Sequence, residues 1–276
     1  MALQIASLNS GSNGNCYYVG NDIDAVLIDA GISCRETENR MRQKGLDISK
    51  VRAIFISHEH SDHVKGVARI ADKYQIPVFI TEKTAQRGPF LVKHLSQHFC
   101  AEEIIQVESL TVVAFAKKHD ADDPHSFIIS HNGVTVGVIT DIGTACDQVV
   151  KYFKQCHAVF LESNYDDEML QNGSYPYYLK TRITSDTGHL SNKQALELFL
   201  NHRPHFMTHV FLSHLSKDNN SPEIAASFFA PHAQEVQIII ASRFEASEVY
   251  TIYEPNNIGS IRKLVMKPVQ LGLFEI

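Results

Sequence analysis

The sequence predicts an α/β protein with an αββα sandwich, in which two mixed β-sheets pack face to face and helices cover their outer sides. The chain has 276 residues, of which 44% are hydrophobic and 20% charged, enough for a large core. Strand-like segments come in hairpin-rich groups, and each group is followed by helical segments, twice along the chain. Because no repeat or linker separates these groups, residues 1–276 are predicted to form a single domain.

The first half of the chain opens with a predicted β-hairpin around a turn rich in Gly, Asn and Ser. Strands are predicted at residues 3–8, 16–19, 25–28, 53–56 and 78–80. A charged, helix-forming segment at 35–44 stops at Gly45, and residues 64–74 show apolar positions at helical spacing. Both segments are therefore predicted to be helices.

The second half contains a second hairpin signal, His131-Asn132-Gly133, between two apolar segments. Strands are predicted at residues 110–115, 126–129, 134–139, 159–161, 206–212, 238–240 and 248–253. Helices are predicted at 192–202 and 222–229. Residues 259–276 are predicted to be a C-terminal tail or a closing strand, without a defined position.

Charge and cysteine content limit the class of protein. The formal net charge of −6 argues against a broad non-specific surface for nucleic acid, although bound metal ions would still allow a phosphate substrate. The five cysteines are scattered and form no Cys-x-x-Cys pair, which is typical of reduced thiols in a cytoplasmic protein. The sequence has no apolar run of about 18 residues and no signal-like start, so neither a membrane span nor secretion is predicted.

The 15 histidines direct attention to metal binding, and the central motif is His58-Glu59-His60-Ser61-Asp62-His63. It follows a predicted buried strand and opens a helix. In an extended turn, His58 and His60 project to one side, while Asp62 and His63 are angled toward a second position. Imidazole and carboxylate together suit zinc, manganese or iron. The alternative, a charged surface turn, gives no reason for three histidines and one aspartate to gather.

The motif His-x-His-x-Asp-His resembles the signature of the metallo-β-lactamase superfamily. In that family further ligands lie at the ends of later strands, and His119, Asp141 and His214 stand at such positions. Taken singly, a residue of this kind after a strand is more often a packing or surface residue, but the order and placement of all three favour ligands. The resemblance implies two divalent metal ions that share Asp141. The other ligands are His58, His60 and His119 for the first ion, and Asp62, His63 and His214 for the second.

Asp29 also stands at the end of a predicted strand and matches the first motif of the superfamily. There the carboxylate orients metal ligands without being one itself. The alternative is that Asp29 only forms the turn beside Gly31.

Spacing narrows the choice of branch within the superfamily. The presence of His63 disfavours the antibiotic-hydrolysing lactamases, which usually lack it. Asp141 follows His119 by 22 positions and His214 follows Asp141 by 73, which leaves no room for the long arm of tRNA-processing enzymes or for a large nuclease insert. The segment Gly188-His189-Leu190-Ser191-Asn192 resembles a catalytic stretch of the tRNA-processing enzymes.

The matching segments are residues 10–16, the His58 motif, His119-Asp120-Ala121, Glu162-Ser163-Asn164, residues 188–192, and His214-Leu215-Ser216 with Asn219-Asn220-Ser221-Pro222. This set, across residues 10–222, is most similar to the YycJ/WalJ-type branch of double-stranded DNA 5′→3′ exonucleases. This resemblance implies phosphodiester hydrolysis by a metal-activated water, with DNA as the substrate. Asp62 and His189 are predicted as catalytic side chains, His189 either as a proton donor to the leaving oxygen or as a phosphate ligand. Ser191, Asn192 and Arg182 are predicted to contact the substrate.

Other readings remain open from the sequence. Arg182 and three lysines, Lys117, Lys118 and Lys180, could contact phosphates or simply form a solvated face. The substrate could be a small cyclic or modified nucleotide, or that of another hydrolase with this fold. A binding protein that kept the fold without catalysis is disfavoured, because all seven ligand positions are filled. Oligomeric state is not predicted.

Overall fold

Two sheets of seven strands each form the centre of the protein in the computed structural model, which describes residues 2–88 and 92–254. The predicted tail at 259–276 lies outside these residues. The strands are β1 (Ala2–Asn9), β2 (Cys16–Gly20), β3 (Ala25–Ile28), β4 (Val51–Phe55), β5 (Val78–Ile80), β6 (Ser96–His98), β7 (Ile104–Val107), β8 (Leu110–Ala116), β9 (His125–His131), β10 (Val134–Ile139), β11 (Ala158–Glu162), β12 (His209–Ser213), β13 (Gln237–Ile240) and β14 (Tyr250–Tyr253).

Both sheets are mixed, as the sequence predicts. The first has the order β14-β1-β2-β3-β4-β5-β6, antiparallel from β14 to β3 and parallel from β3 to β6. The second has the order β13-β12-β11-β10-β9-β8-β7, parallel from β13 to β10 and antiparallel from β10 to β7. The predicted hairpins are both present, since β1 pairs with β2 and β9 pairs with β10.

Helices lie on the outer sides of the two sheets, which confirms the αββα arrangement. They are α1 (Cys34–Gln43), α2 (Ser61–Val64), α3 (Val67–Tyr74), α4 (Glu82–Ala85), α5 (Asp147–Phe153), α6 (Asp167–Asn172), α7 (Tyr177–Ile183), α8 (Asn192–His202) and α9 (Pro222–Phe229). One apolar core fills the space between the sheets and includes Phe55, Phe127 and Phe160. Two further cores lie beneath the outer helices. Neighbouring strands therefore present both faces to apolar groups, which explains their continuous hydrophobic character.

Two predicted elements differ most from the structure. The helix expected at 64–74 is divided into α2 and α3, because the amide of Gly66 donates to Ala30 O at 2.7 Å and a side chain at position 66 would collide with Ile32 O. The strand expected at 206–212 begins only at His209, since Met207 N closes a turn on Pro204 O. Each deviation is imposed by contacts outside the segment, which periodicity does not record.

The carboxyl ends of the parallel strands β3, β4, β10, β11 and β12 reach the same end of the sandwich. In open α/β sheets this is the end where ligands bind, because the connecting loops converge there. Among residues 2–88 and 92–254, none of the helices combines the length and the apolar character that crossing a bilayer requires.

Candidate metal centre

Three polar residues turn the chain sharply at strand ends. Asp29 follows β3, Asp141 follows β10 and His214 follows β12, and their φ angles are 59°, 53° and 57°. A left-handed backbone is unfavourable for residues with a side chain and is maintained only where the surroundings enforce it. The turns aim the three side chains into the same end of the sandwich, where they are buried.

The loop after β4 contributes the histidine motif. His58 is fully buried, and His58 Nε2 lies 3.0 Å from His60 Nδ1. The ring of His119 completes this group, with centroids 4.9 Å from His58 and 5.3 Å from His60. The ligating atoms of these three residues lie within 4.8 Å of one another. They form one cluster that could hold a metal ion.

Asp141 lies between this cluster and a second one. Asp141 Oδ2 is 3.5 Å from His63 Nε2, while Asp141 Oδ1 is 3.8 Å from His119 Nε2 and 3.4 Å from His214 Nδ1. Asp62 Oδ2 faces the same space, 3.6 Å from His63 Nε2 and 3.9 Å from His214 Nε2. All seven residues predicted as ligands are therefore brought together, with Asp141 in the middle.

Partners on Nδ1 orient three of the histidine rings. His63 Nδ1 donates to Asp29 Oδ2 at 2.7 Å, and Ser57 Oγ also donates to that oxygen, at 2.8 Å. Ser57 Oγ in turn accepts from His58 Nδ1 at 2.9 Å, and Gly188 O accepts from His119 Nδ1 at 3.1 Å. The Nε2 atoms then face inward. Hydrogen bonds of this kind fix the ring orientation of histidine ligands in metal sites.

Glu162, the last residue of β11, belongs to a segment that carries the branch resemblance, but the sequence analysis gave it no role in the site. Its side chain is fully buried, and Oε1 accepts from Nδ1 of both His189, at 2.8 Å, and His214, at 2.9 Å. Oε2 accepts from the amide of Ile142 at 2.6 Å, next to Asp141. The two histidines hold the pKa of Glu162 at about 2, against the effect of burial. A single charged residue at the end of an otherwise apolar strand was the available signal.

Asn15 also lies in a matching segment, and the sequence analysis gave it no role either. Asn15 Nδ2 lies 3.2 Å from Asp62 Oδ2 and 3.1 Å from His63 Nε2, and its amide N–H donates to Asp62 O at 2.7 Å. The approach of these segments depends on Gly31, because a Cβ there would lie 1.6 Å from Asp62 O. Asn15 and Gly31 thus position the carboxylate of Asp62.

Buried polar atoms without hydrogen-bond partners show whether the cluster fits a metal ion. His119 Nε2, His214 Nε2 and Asp141 Oδ2 are buried without a hydrogen-bond partner among the described residues. Buried polar atoms are rarely left unpaired, so these three require an explanation. A cation contacting two imidazole nitrogens and a carboxylate oxygen supplies one, and this donor set suits zinc, manganese or iron. The residues therefore fit the predicted ions.

Electrostatics divides the histidines into two kinds. Burial lowers the pKa of His119 to about 4 and the pKa of His58 well below its usual value, so both rings are neutral. Burial also disfavours charge on His214, but Asp141 and the other carboxylates prevail and raise its pKa to about 10. The pKa of His63 is raised well above its usual value by Asp141 and Asp29, again against burial. The carboxylates thus favour positive charge in the space around His63 and His214.

A cavity of about 310 Å³ opens over these groups. Its lining includes Ser12, Arg182 and His189 in addition to the clustered residues. The ring of His189 lies 5.2 Å from both His119 and His214. Arg182 pairs through Nε with Asp120, and its side chain is 56% exposed. The cavity thus combines a candidate metal centre, an imidazole and a guanidinium.

Three other predicted contact residues occupy different surroundings. Ser191 is buried and caps α8, where its Oγ accepts from Gln194 N. Asn192 is fully buried and bonds to Ser163 and Asn220, and neither Ser191 nor Asn192 lines the cavity. Lys117 is buried as well, and its Nζ donates to Thr140 O at 2.8 Å. These three side chains support the loops around the site. Lys117 is thus buried, whereas the sequence analysis expected it to contact a phosphate or to lie on a solvated face.

The fold and the cluster together define a metallohydrolase of the metallo-β-lactamase class. Comparison with known families gives a match of residues 24–214 to the "Beta-lactamase superfamily domain". Exodeoxyribonuclease YycJ of Bacillus anthracis is 35% identical over 249 residues, which cover 89% of this chain and 94% of the relative. Exodeoxyribonuclease WalJ of Streptococcus pneumoniae is 32% identical over 224 residues, which cover 79% and 83%.

The solved structures give the same fold. The metallo-β-lactamase fold protein YhfI from Bacillus subtilis superposes with a TM-score of 0.70 at 13% identity, covering 91% of this chain and 99% of YhfI. The chain belongs to the metallo-β-lactamase superfamily, in the branch that contains the YycJ and WalJ proteins. It is a hydrolase of that superfamily, as the sequence predicts.

Proposed function

We propose that the protein is a metal-dependent exonuclease that hydrolyses linear double-stranded DNA from its 5′ ends. The observation that carries this proposal is the position of His189, whose ring lies 5.2 Å from the rings of two candidate ligands in a cavity that also contains Arg182. A proton donor and a cation beside a metal centre are the groups that phosphodiester cleavage requires. The names of the YycJ and WalJ relatives support DNA as the substrate.

In this proposal the chain holds two divalent ions. Three histidines, His58, His60 and His119, provide the first site. Asp62, His63 and His214 provide the second, and Asp141 contributes one carboxylate oxygen to each side. When bound, such ions neutralise phosphate oxygens and lower the pKa of water, which provides the nucleophile. The proposal leaves zinc, manganese and iron as candidates for the ions.

His189 is proposed to protonate the leaving oxygen. Its Nδ1–H donates to Glu162 Oε1, so Nε2 is the ring nitrogen that remains available to the cavity. The carboxylate of Glu162 stabilises the charged imidazolium before the proton is transferred. His189 is 19% exposed, so it can regain a proton from solvent after each cycle.

Arg182 is proposed to bind a phosphate oxygen. Its pairing with Asp120 uses Nε, and the guanidinium carries further N–H donors in a fixed plane. Asp62, which is 20% exposed and held by Asn15, is the most accessible carboxylate among the candidate ligands and is proposed to orient the attacking water. Arg182 and Asp62 both line the same cavity.

The experiment compares duplex DNA labelled at the 5′ end with the same duplex labelled at the 3′ end, in the presence of Mn²⁺, Zn²⁺ or Mg²⁺. Attack from the 5′ end releases the 5′ label as the first product, while the 3′ label remains in long fragments. The reverse order contradicts the proposed polarity. Since a cavity of about 310 Å³ would also admit a small nucleotide, cyclic dinucleotides and nitrophenyl diesters are assayed beside the DNA. Turnover of these alone would identify a small-molecule phosphodiesterase instead.

A further inference from the structure

The most exposed aromatic side chains among the described residues stand in segments that border the catalytic cavity. Tyr177, Phe244 and Tyr178 are 85%, 75% and 74% exposed. Tyr177 and Tyr178 open α7, the helix that also carries the cavity residue Arg182. Phe244 follows Arg243, whose Nη2 donates at 3.0 Å to Oγ of the cavity residue Ser12. Exposed aromatic groups gathered beside a site can form a binding surface.

Tyr178 and Arg182 are one helical turn apart on α7. Residues four positions apart on a helix share a face, with Cβ atoms about 5–6 Å apart. The helix is anchored to the catalytic loop, because His189 N donates to Ile183 O at 2.9 Å and Gly188 lies directly against the end of α7. An aromatic ring and a cation therefore stand side by side at a fixed position relative to His189.

Arg243 and Phe244 form a similar pair through different elements. The backbone around Phe244 is held by two hydrogen bonds, from Arg40 Nη2 to Phe244 O at 2.8 Å and from Phe244 N to Ser242 Oγ at 3.1 Å. Asn13 Nδ2 donates to Arg243 O at 2.8 Å, which ties the segment to the loop after β1. The segment is thus well anchored, and yet it directs a phenyl ring into solvent. Packing among residues 2–88 and 92–254 gives no reason for that exposure.

We propose that Tyr178 with Arg182, and Phe244 with Arg243, form two base-stacking contacts that hold a single DNA strand across the catalytic cavity. This inference rests on the proposed function. An alternation of aromatic rings and cations is the arrangement by which proteins bind unpaired strands, since the rings stack on bases and the cations contact phosphates. Within this proposal, the cavity of about 310 Å³ receives one strand of the duplex end. The terminal base pairs must therefore separate before the first bond is cut.

Stacking contacts are independent of sequence, because every base has a π-face. The enzyme is thus expected to cut a duplex with a few unpaired nucleotides at the 5′ end faster than a blunt duplex closed by G·C pairs. The difference should decrease when the aromatic residues are removed, because strand capture then no longer assists the separation of the end.

The test uses metal-loaded enzyme with Tyr178→Ala, Phe244→Ala and the double variant. Tyr253→Ala is the matched control: this tyrosine is 37% exposed and pairs with Ala2 at the opposite end of the sandwich. Each single variant is expected to raise KM for DNA about tenfold relative to KM for bis(4-nitrophenyl) phosphate, and the double variant more. Tyr178→Phe and Phe244→Tyr keep a ring and should retain DNA binding. Tyr253→Ala should behave as wild type.

A direct readout is the fluorescence of 2-aminopurine near the 5′ end of a phosphorothioate strand that resists cleavage. Stacking on Tyr178 or Phe244 quenches it, and the alanine variants should lose the quenching. Unchanged KM and unchanged quenching would overturn the proposal, as would an equal loss on DNA and on the nitrophenyl diester. Quenching that depends on Tyr178 in an enzyme that cuts no DNA would uphold the stacking sites and refute the exonuclease assignment.

Discussion

Glu162 and His189 are joined by a 2.8 Å hydrogen bond between Oε1 and Nδ1, deep behind the catalytic cavity. The same oxygen accepts from Nδ1 of His214, so one buried carboxylate sets the orientation of a candidate metal ligand and of the candidate proton donor. The positions of the candidate proton donor and of the candidate ligand His214 are thus coupled through Glu162. Positioning of this kind is usually maintained as strictly as the ligands themselves.

Glu162→Gln is expected to weaken both functions without changing the shape of the side chain. The amide loses the negative charge that stabilises the two imidazoles, so metal affinity should fall by ~10–100-fold. Activity measured at saturating metal should still be reduced, because His189 loses its charged hydrogen-bond partner. Glu248→Gln, at an acid that is 76% exposed, is the control. A loss of activity that excess metal fully restores would limit Glu162 to supporting His214.

His189→Ala should keep the metals and the fold, because His189 is not needed for either proposed ligand set. Turnover of DNA is expected to fall by ~10²–10⁴-fold, the usual scale for one general acid. The loss should be smaller on a nitrophenyl diester, whose leaving group requires no proton. The measurement is the ratio of the two rates in wild type and variant, with metal content determined in both. Equal losses on both substrates would indicate phosphate binding instead of proton transfer.

Asp62→Ala should remove mainly the second metal ion. Asp62 faces His63 and His214, whereas the first site contains His58, His60 and His119. Elemental analysis should find up to two ions per chain in wild type and about one in the variant. His60→Ala is the reciprocal variant and should empty the first site. Equal loss of both ions from either variant would contradict this division.

Metal binding should release protons at neutral pH. In the metal-free protein the pKa of His214 is about 10 and the pKa of His63 is also raised, so both rings are charged at pH 7. A metal ligand must be a neutral imidazole, and uptake is therefore expected to displace about two protons. Calorimetry in buffers of different ionisation enthalpy measures this number. Uptake without proton release would mean that neither histidine is a ligand.

The same pKa shift predicts how the metal-free protein responds to pH. Because the pKa of His214 is raised from 6.5 to about 10, its contribution to stability is complete below 6.5 and disappears as pH rises through about 10. The metal-free protein should therefore lose stability in this alkaline range, while the metal-loaded protein should not. Denaturant unfolding at pH 7 and pH 10 measures the difference.

The strand pattern and the metal motif could be predicted because they are local. Asn132 and Gly133 both have positive φ angles and close the hairpin that their sequence predicts. The six-residue histidine motif brings four candidate ligands together within one loop. Helices α8 and α9 were predicted with their observed bounds, since Ser191 and Ser221 cap them and their apolar positions recur at helical spacing.

Features that depend on distant segments were not predictable. Helices α5, α6 and α7 have only six or seven residues, too few to establish a helical period. The role of Glu162 depends on the position of β11 between β10 and β12, because this position brings His189 and His214 to one carboxylate. The sequence predicts that Lys117 either contacts a phosphate or lies on a solvated face, because the sequence does not reveal that its amine is buried and reaches Thr140 O.

The most direct measurement of the central claim compares linear and closed circular duplex DNA of identical sequence, incubated with metal-loaded enzyme. An exonuclease that starts at DNA ends should degrade the linear form and leave the closed circle intact, and a single restriction cut should make the circle a substrate. Removal of the metal by a chelator should abolish degradation, and added Mn²⁺ or Zn²⁺ should restore it. Rapid cleavage of closed circles, or degradation that persists without metal, would contradict a metal-dependent exonuclease.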